Sequence, residues 1–409
     1  MHGDVEAAGA QVQRNLAPEP FGGACDEHDG TGSHDFYNRT MKPKESASVS
    51  GALATLIRRA IDRDGGWLPF DRFMAMALYA PSLGYYARGD RQFGALPSSG
   101  SDFITAPELS PLFGRALARQ VSQALAGSGT DEVVEFGAGT GALALQLLDA
   151  LGSAVRQYSI VDLSGTLRER QRATLAAHAG RVRWLDALPE RMSGVVVGNE
   201  VLDAMPVQLL HFDGRQWFER GVSAVGETFA FSDRPTSLRP PHDGPFLPGT
   251  TTEIHLQSEA YVATLAERMD RGAAFFIDYG FPCAEYYFEQ RTGGTLMCHQ
   301  GHRADDNPLV DVGAKDITAH VDFTGIALAA QEAGFEVLGY ASQARFLMNC
   351  GLLEMMQGES IARVANAQKL LNEHEMGELF KVIGLAKDCD PSLTTAPIGF
   401  AHGDRTHTL

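Results

Sequence analysis

Cysteine, long apolar runs and positive charge are all scarce in this chain of 409 residues. The five cysteines are scattered without a CxxC pair, which argues against a zinc cage or a disulfide framework and suits a reducing compartment. No run of about 18 apolar residues occurs, so the sequence predicts no membrane-spanning helix. The 34 Lys and Arg are outnumbered by 51 Asp and Glu, and the net charge of −17 argues against a general nucleic-acid binder.

The first 49 residues also lack any apolar period. They are rich in Gly, Ala, Asp and His, which predicts a disordered extension. They contain no apolar core of a secretory signal, and Asp4 and Glu6 precede the first arginine, which is atypical of a transit peptide. These features favour the cytoplasm of a bacterium, and the mitochondrial matrix if the source is eukaryotic.

A helical N-terminal cap and cofactor lid is expected over residues 50–127. Apolar residues at helical spacing predict helices over 53–62 and 70–80. A stretch rich in Gly, Pro and Ser follows. The next helix is expected to begin with Ser110 as N-cap and Pro111 at its first position.

Strand and helix patterns alternate from residue 131 onward. The predicted strands cover 131–136, 158–163, 182–185, 194–199 and 276–280, with helices over 141–151 and 164–178. Apolar strands separated by helices predict a mostly parallel sheet covered on both faces, a Rossmann-like α/β fold. Residues 128–409 would form this catalytic region, with insertions around 207–256, where Asp213-Gly214 signals a hairpin, and around 281–322. The segment 351–371 reads as one amphipathic helix.

Polar and glycine residues stand at the carboxyl ends of the first four strands, where ligands bind in such sheets. In chain order they are Glu135, Gly137, Gly139, Gly141, Asp162, Asp186, Asn199 and Glu200. Glycines allow a sharp turn and a close approach to a ligand, and an acid after the second strand can accept hydrogen bonds from ribose hydroxyls.

Two ligands compete for this crevice. The spacing Gly137-x-Gly139-x-x-Ala142, with Asp162 about 20 residues on, fits the loose dinucleotide fingerprint. However, Glu135 would repel a pyrophosphate and would attract an ammonium group. S-adenosylmethionine carries an ammonium and a sulfonium and no phosphate, so these residues favour it over a nicotinamide dinucleotide.

The segment VVEFGAGTGALA resembles the first motif of class I S-adenosylmethionine-dependent methyltransferases. Five further segments extend the resemblance over residues 51–400: YAPSLGYYARGDRQFGALPSSGSDFITAPELSPLFGRALA, GNEVLDAMPVQ, FIDYGF, DITAHVDFTGIALAAQEAGFE and EMGELFKVIGLAK. Together they are similar to the MidA-like family, which includes the mitochondrial protein-arginine methyltransferase that assists assembly of respiratory complex I. Ser101 stands where that family usually has glycine.

The resemblance implies a class I methyltransferase fold and a set of residue roles. The implied cofactor-binding residues are Asp102, Phe103, Pro107, Glu135, Phe136, Gly137, Ala138, Gly139, Thr140, Gly141, Asp162, Leu163, Asp186, Ala187 and Asn199. Among them, Glu135 would sit near the ammonium group, Asp162 at the ribose and Asp186 at the adenine. The catalytic residues would be Asn199, Glu200 and Asp203, facing the transferable methyl, and residues 102–108 would form a lid.

Methyl transfer requires a nucleophile held about 3 Å from the methyl in a site without water. For a guanidinium nitrogen, carboxylates must hold the planar fork, and Glu200 and Asp203 could share one guanidinium if a helix starts at residue 201. Glu108, Asp278 and His320 are candidates for positioning the substrate. Asp203 could instead cap that helix, and Asp278 could stabilise a turn.

Three function hypotheses follow. The favoured one is methylation of a protein arginine, with a respiratory complex I subunit as a candidate partner. The chain could instead be a cofactor-binding assembly factor, or a methyltransferase for another nitrogen or oxygen nucleophile. His299, His302 and His320 fit no trusted ligand spacing, so no metal is predicted. The oligomeric state, monomer or homodimer, stays open.

Overall fold

The computed structural model describes residues 43–87, 104–162, 165–301 and 303–409. The helices in these ranges are α1 (Pro43–Arg63), α2 (Phe70–Tyr79), α3 (Ala106–Leu109), α4 (Leu112–Ser128), α5 (Ala142–Leu151), α6 (Gly165–Thr174), α7 (Leu256–Arg268), α8 (Cys283–Tyr286), α9 (Phe323–Glu332), α10 (Gln343–Asn349), α11 (Leu352–Met356), α12 (Ile361–Lys369) and α13 (Pro391–Thr395). Within the described residues, none of them is both long and apolar enough to cross a membrane.

The strands fall into three sheets. They are β1 (Leu68–Pro69), β2 (Glu132–Phe136), β3 (Gln157–Val161), β4 (Val182–Leu185), β5 (Met192–Asn199), β6 (Gln208–Phe212), β7 (Trp217–Val225), β8 (Thr228–Pro235), β9 (Thr251–Ile254), β10 (Met269–Phe281), β11 (Met297–Gln300), β12 (Arg303–Asp305), β13 (Asp316–Thr318), β14 (Val321–Asp322), β15 (Glu336–Ser342) and β16 (Phe380–Lys387).

The central sheet has the order β4-β3-β2-β5-β10-β16-β15, with β14 pairing beside β10. Its strands run parallel from β4 to β10, and β16 is antiparallel to both of its neighbours, β10 and β15. The chain moves outward from β2 to β4 and then crosses back to β5. The connections that follow β2 and β5 therefore lead in opposite directions along the sheet. This divergence opens a crevice beyond the carboxyl ends of the two strands. The predicted Rossmann-like methyltransferase fold is confirmed.

Alternate residues of the strands are buried on opposite faces of this sheet, as the apolar strand sequences require. Val195 and Val197 of β5 belong to a core with helices α4 and α5. Val196 between them belongs to a second core with helices α7 and α9. Burial on both faces explains why the strand reads as an unbroken run of valines.

The N-terminal cap and the first insertion share one antiparallel sheet. Its order is β1-β7-β6-β9, with β8 beside β7. Leu68 of the cap pairs with Val222 of the insertion, and both lie in one core with α1 and α2. The hairpin predicted at Asp213 joins β6 to β7. The second insertion forms a small sheet in the order β12-β11-β13.

Helix boundaries differ from the sequence prediction in three places. Helix α1 begins at Pro43, before the boundary predicted near residue 50. Helix α4 begins at Leu112, one residue later than predicted, and the Ser110 hydroxyl still accepts from the Leu112 N–H at 3.3 Å. The single helix predicted over 351–371 is wrong, because Gly358 has φ of +84° and Ser360 caps a new helix, α12.

Candidate active site

A cavity of about 1340 Å³ lies at the carboxyl ends of strands β2, β3, β5 and β10. Most of the residues predicted for the cofactor and for catalysis line it. They are Pro107, Glu108, Glu135, Phe136, Gly137, Ala138, Gly139, Thr140, Asp162, Asp186, Ala187, Asn199, Glu200, Asp203 and His320. Asp102, Phe103, Leu163 and His302 lie outside the described residues.

The glycine-rich turn follows β2 directly. Gly137 and Gly139 have φ of +62° and +51°, a left-handed conformation that other residues rarely adopt. Both present their backbone to the cavity. Gly141, predicted to bind the cofactor, is absent from the cavity lining. Gly141 has φ of +83°, a left-handed conformation that other residues rarely adopt, and a Cβ added there would make only an ordinary contact with Gln171 at 3.5 Å. The turn itself therefore requires this glycine.

Glu135, the next-to-last residue of β2, lines the cavity and is 2% exposed. The Tyr158 hydroxyl donates to its Oε2 at 2.8 Å. Burial raises the pKa of Glu135 to about 8, since the charged form loses water, while the bond from Tyr158 opposes the shift and the nearby Asp162 adds to it. A positively charged ligand group would stabilise the ionised form of this buried carboxyl.

A chain of hydrogen bonds positions Asp162. The Gln171 amide donates to Asp162 Oδ2 at 2.7 Å and to the Gly139 carbonyl at 3.0 Å. The Gln171 amide oxygen in turn accepts from Trp184 Nε1 at 2.8 Å. Gln171 is fully buried and carried by α6, so it connects the glycine turn to the acid predicted for ribose. The sequence analysis missed it.

Asp186 lies at the exposed rim, following β4. Its Oδ1 pairs with Arg168 at 2.7 Å, and its side chain is 91% exposed. Arg168 also donates to the carbonyl of Asp162. The arginine therefore fixes two of the predicted cofactor residues relative to each other.

The loop after β5 contains the predicted catalytic residues but no helix at residue 201. Glu200 has φ of +55°, and its N–H donates to the Ile277 carbonyl at 2.9 Å. Asp278 Oδ2 accepts the N–H groups of the next three residues, Val201, Leu202 and Asp203, at 3.1, 2.9 and 3.3 Å.

These contacts correct two expectations. The loop is stabilised by the hydrogen bonds to Asp278 and not by a helical turn. Asp203 therefore caps no helix. Asp278 is 1% exposed and is absent from the cavity lining, so its side chain does not face a substrate. Asp278 instead stabilises the turn at residues 201–203, which follows β5.

Two carboxylates of this loop point into the cavity. Asn199 Nδ2 donates to Glu200 Oε1 at 2.9 Å, and the Tyr279 hydroxyl donates to Asp203 Oδ2. Asp203 is 5% exposed, yet its Oδ1 makes no hydrogen bond. Burial, joined by the neighbouring Asp203, raises the pKa of Glu200 to about 8, and burial raises that of Asp203 to about 6. An unpaired buried oxygen of this kind favours a cationic partner.

The opposite wall comes from the N-terminal segment. Pro107 and Glu108 of α3 line the cavity, and Gln146 of α5 donates to the Pro107 carbonyl at 2.7 Å. Glu108 Oε2 makes no hydrogen bond, and burial raises the pKa of Glu108. His320 also lines the cavity, and its ring stacks on that of Phe281 with the ring centroids 5.2 Å apart. Burial lowers the pKa of His320 to about 4, so the ring is neutral at pH 7.

The charge of the cavity lining has one sign. Its carboxylates are Glu108, Glu135, Asp162, Asp186, Glu200, Asp203 and Asp316. No lysine or arginine lines it among the residues that the structure describes. In the same part of the chain, no cluster of His, Cys, Asp and Glu is arranged to hold a metal ion. Such a cavity disfavours phosphate and suits ligands that bring positive charge.

Several lining residues were missed from the sequence, above all Tyr79, Tyr86, Tyr261, Tyr279 and Asp316. They come from α2 and the loop after it, α7, β10 and β13. Their positions depend on how the cap and the second insertion pack onto the sheet. No spacing within the sequence predicts that packing. The only signal is that GYYARGD and DITAH lie inside the segments that resemble the family.

Comparison with known proteins agrees with this site. A family described as "Putative S-adenosyl-L-methionine-dependent methyltransferase" matches residues 114–341. A Burkholderia thailandensis protein bound to S-adenosyl-homocysteine is 50% identical in sequence with a TM-score of 0.86, over 90% of this chain and 100% of that one. The native crystal structure of a protein from the same organism is 49% identical with a TM-score of 0.82, over the same shares.

Curated relatives are more distant. The protein arginine methyltransferase NDUFAF7 homolog, mitochondrial, of Drosophila melanogaster is 29% identical over 78% of this chain and 79% of its own length. The Danio rerio protein of that name is 27% identical over 84% and 88%.

The lining residues fit an S-adenosyl ligand. The glycine turn leaves backbone open to the cavity, the buried carboxyl of Glu135 can pair with an ammonium group, and the Asp162 carboxylate can accept hydrogen bonds from ribose hydroxyls. The absence of basic lining residues in the described ranges fits a ligand without phosphate.

Proposed function

The chain belongs to this family of S-adenosyl-L-methionine-dependent methyltransferases, and we propose that the acceptor of its methyl group is an arginine side chain of a protein. The observation that carries the proposal is the pair of carboxylates on the loop after β5. Asp203 keeps one buried oxygen unpaired, and Glu200 is beside it in a cavity whose described lining has no lysine or arginine. The names of the curated relatives support the same acceptor.

The cofactor site follows from the sequence roles and the geometry. Glu135 would hold the ammonium group, and the turn at Gly137 and Gly139 would contact the methionine part. Asp162, which accepts a hydrogen bond from Gln171, would hold the ribose. Asp186 and Ala187 would contact the adenine. When bound, the cofactor supplies a methyl group already activated by a sulfonium.

The acceptor nitrogen must be oriented because the charge of a guanidinium is delocalised over its planar fork. Glu200 and Asp203 accept its N–H groups and draw the positive charge toward the nitrogens that do not react. An acceptor nitrogen that takes the methyl group from the sulfonium would have to lose one proton. Glu200, with its pKa near 8, takes that proton and passes it to solvent.

The other predicted residues have supporting roles. Asn199 donates to Glu200 and sets its orientation. Glu108 and His320 also line the cavity and would help to position the acceptor. Asp278 acts on the loop and not on the substrate, because it accepts three of the loop's N–H groups.

The partner and compartment rest on the family. We propose a protein substrate, with a subunit of a respiratory complex I as the first to be tested, and a cytoplasmic location for a bacterial source. The curated relatives carry mitochondrial names. The net charge of −17 suits a substrate segment that brings arginine.

The test uses Glu200→Gln, with the exposed Glu190→Gln as a matched control. Each purified protein is incubated with S-adenosylmethionine carrying a labelled methyl group and with an extract of cells that lack the protein. Label should appear in methylarginine after acid hydrolysis for the wild type and the control. Glu200→Gln should bind S-adenosylhomocysteine normally and lose at least about a hundredfold in labelling.

Two outcomes would overturn the proposal. Label recovered in another amino acid would replace the acceptor. Cells that grow normally with Glu200→Gln but fail without the whole protein would favour an assembly factor.

A further inference from the structure

The cavity lining includes three side chains to which neither the family resemblance nor the motifs gave a role. Tyr79 ends α2, Tyr86 follows in the next loop, and Asp316 begins β13. The Tyr86 hydroxyl donates to both oxygens of Asp316 at 2.9 Å. Asp316 is 2% exposed and lines the cavity with the two tyrosines.

The two tyrosine rings form an aromatic pair. Their centroids are 5.6 Å apart and their planes differ by 19°. The Tyr79 hydroxyl donates to the Ala204 carbonyl at 2.8 Å, directly beside Asp203. Burial raises the pKa of both tyrosines, with Asp316 and Asp203 adding to the shift, so both remain protonated and both carboxylates lie near the same pair of rings.

Asp203 adds an acceptor oxygen without a hydrogen-bond donor to this group of side chains. Its Oδ2 is held by Tyr279, while its buried Oδ1 has no hydrogen bond and borders the cavity. A buried carboxylate oxygen without a donor is costly, and a cation that donates N–H groups removes the cost.

In the described part of the chain, the charged side chains nearby do not supply that cation. His299 and His320 also line the cavity, and His320 is neutral at pH 7. Lys381, which faces His320, is bonded to the Glu378 carbonyl, and Arg291 lies over the Phe281 ring. Among the described residues, neither of these two reaches the cavity lining.

We propose that Tyr79, Tyr86 and Asp316, together with Asp203, form a subsite that selects the planar guanidinium group of the acceptor over an ammonium group. The inference rests on the proposed function, since it concerns the acceptor of that same reaction. A guanidinium stacks its flat face on aromatic rings and presents several N–H donors in one plane. An ammonium group has the same charge but neither property, so the tyrosine pair discriminates where the carboxylates alone would not.

The subsite also explains the position of β13. Asp316 is brought to the cavity by the small sheet of the second insertion, where it lies opposite the helical cap that carries Tyr79. The acceptor therefore binds between two segments that lie outside the central sheet, while the cofactor binds on the sheet itself.

The experiment uses the full chain saturated with S-adenosylhomocysteine, and its probes are n-butylguanidinium and n-butylammonium. Calorimetric titration should show saturable binding of n-butylguanidinium that is at least about tenfold tighter than that of n-butylammonium. Asp316→Asn should weaken the binding of both ions about tenfold or more. Tyr86→Leu should weaken n-butylguanidinium selectively and bring the ratio of the two affinities close to one.

Asp306→Asn, an exposed acid of the same insertion, is the matched control and should bind both ions as the wild type does. Unchanged affinity for S-adenosylhomocysteine verifies that each variant is folded. The comparison of two ions on the wild type needs no variant, so a misfolded Tyr86→Leu would not leave the question open.

Equal affinities of the wild type for the two ions would overturn the inference, and so would an Asp316→Asn protein that binds n-butylguanidinium normally. Either result could accompany normal formation of methylarginine, in which case the proposed function stands and the subsite fails. If the labelling test gave no methylarginine while n-butylguanidinium still bound as expected, the subsite would stand and the proposed function would fail.

Discussion

Replacing Glu135 by glutamine should remove most of the pH dependence of cofactor binding. The carboxyl is 2% exposed and has a pKa of about 8, so at neutral pH it is mostly protonated before a ligand arrives. A ligand ammonium group pairs with the ionised form only. Binding therefore releases one proton, and the affinity follows the ionised fraction of Glu135.

The size of the effect follows from that pKa. With a pKa near 8, about 1% of Glu135 is ionised at pH 6 and about 9% at pH 7. The affinity of the wild type for S-adenosylhomocysteine should thus rise about ninefold between these pH values, which corresponds to about 1.3 kcal/mol. Glu135→Gln should bind with little change over the same range and, at pH 7.5, at least about tenfold more weakly than the wild type.

The assay is calorimetric titration of S-adenosylhomocysteine, which carries the ammonium group without the sulfonium. Repeating it at pH 7 in buffers of different ionisation enthalpy should give about 0.9 proton released per ligand by the wild type. Glu200→Gln is the control, because the pKa of Glu200 is also about 8 but its proposed role is at the methyl acceptor and not at the ammonium group. A wild-type affinity that is flat from pH 6 to pH 7, or a Glu135→Gln protein that keeps the slope, would refute the reasoning.

Three further outcomes are expected. Gln171→Leu should weaken S-adenosylhomocysteine binding by about tenfold in calorimetry, since Asp162 loses its buried donor; unchanged affinity would contradict that role. Asp278→Ala should lower the free energy of unfolding in urea by about 2–4 kcal/mol, because three N–H groups lose their acceptor, and a loss below about 1 kcal/mol would argue against it. At saturating cofactor, kcat/KM for a methyl-accepting protein should rise on the order of a hundredfold from pH 6 to pH 8, as Asp203 and Glu200 ionise from pKa values near 6 and 8; an activity that falls over this range would count against both.

The central sheet could be predicted from the sequence because each parallel strand is buried on both faces. The run GVVVG has no polar residue that would suggest another structure, and it lies within β5, directly before Asn199. The carboxyl ends of neighbouring strands must meet at one edge, so the positions of Glu135, Asp162 and Glu200 around one cavity followed from local patterns alone.

The loop after β5 could not be predicted in the same way. A helix from residue 201 looked reasonable from spacing, but the conformation depends on Asp278, which lies 75 residues beyond Asp203 in the sequence. A buried carboxylate that collects three N–H groups replaces the helical turn, and the left-handed Glu200 is maintained by a bond to the neighbouring strand. Similarly, the broken helix after residue 351 depends on a left-handed glycine, Gly358, inside an otherwise helical pattern.

The one-sided charge of the cavity has a consequence for turnover. S-adenosylmethionine enters with a sulfonium charge, and S-adenosylhomocysteine leaves without it, so transfer of the methyl group itself lowers the electrostatic attraction between the ligand and a lining that offers seven carboxylates and, among the described residues, no lysine or arginine. The lining therefore holds the methyl donor more strongly than its spent form. The loss of that one charge favours replacement of S-adenosylhomocysteine by S-adenosylmethionine after each catalytic cycle.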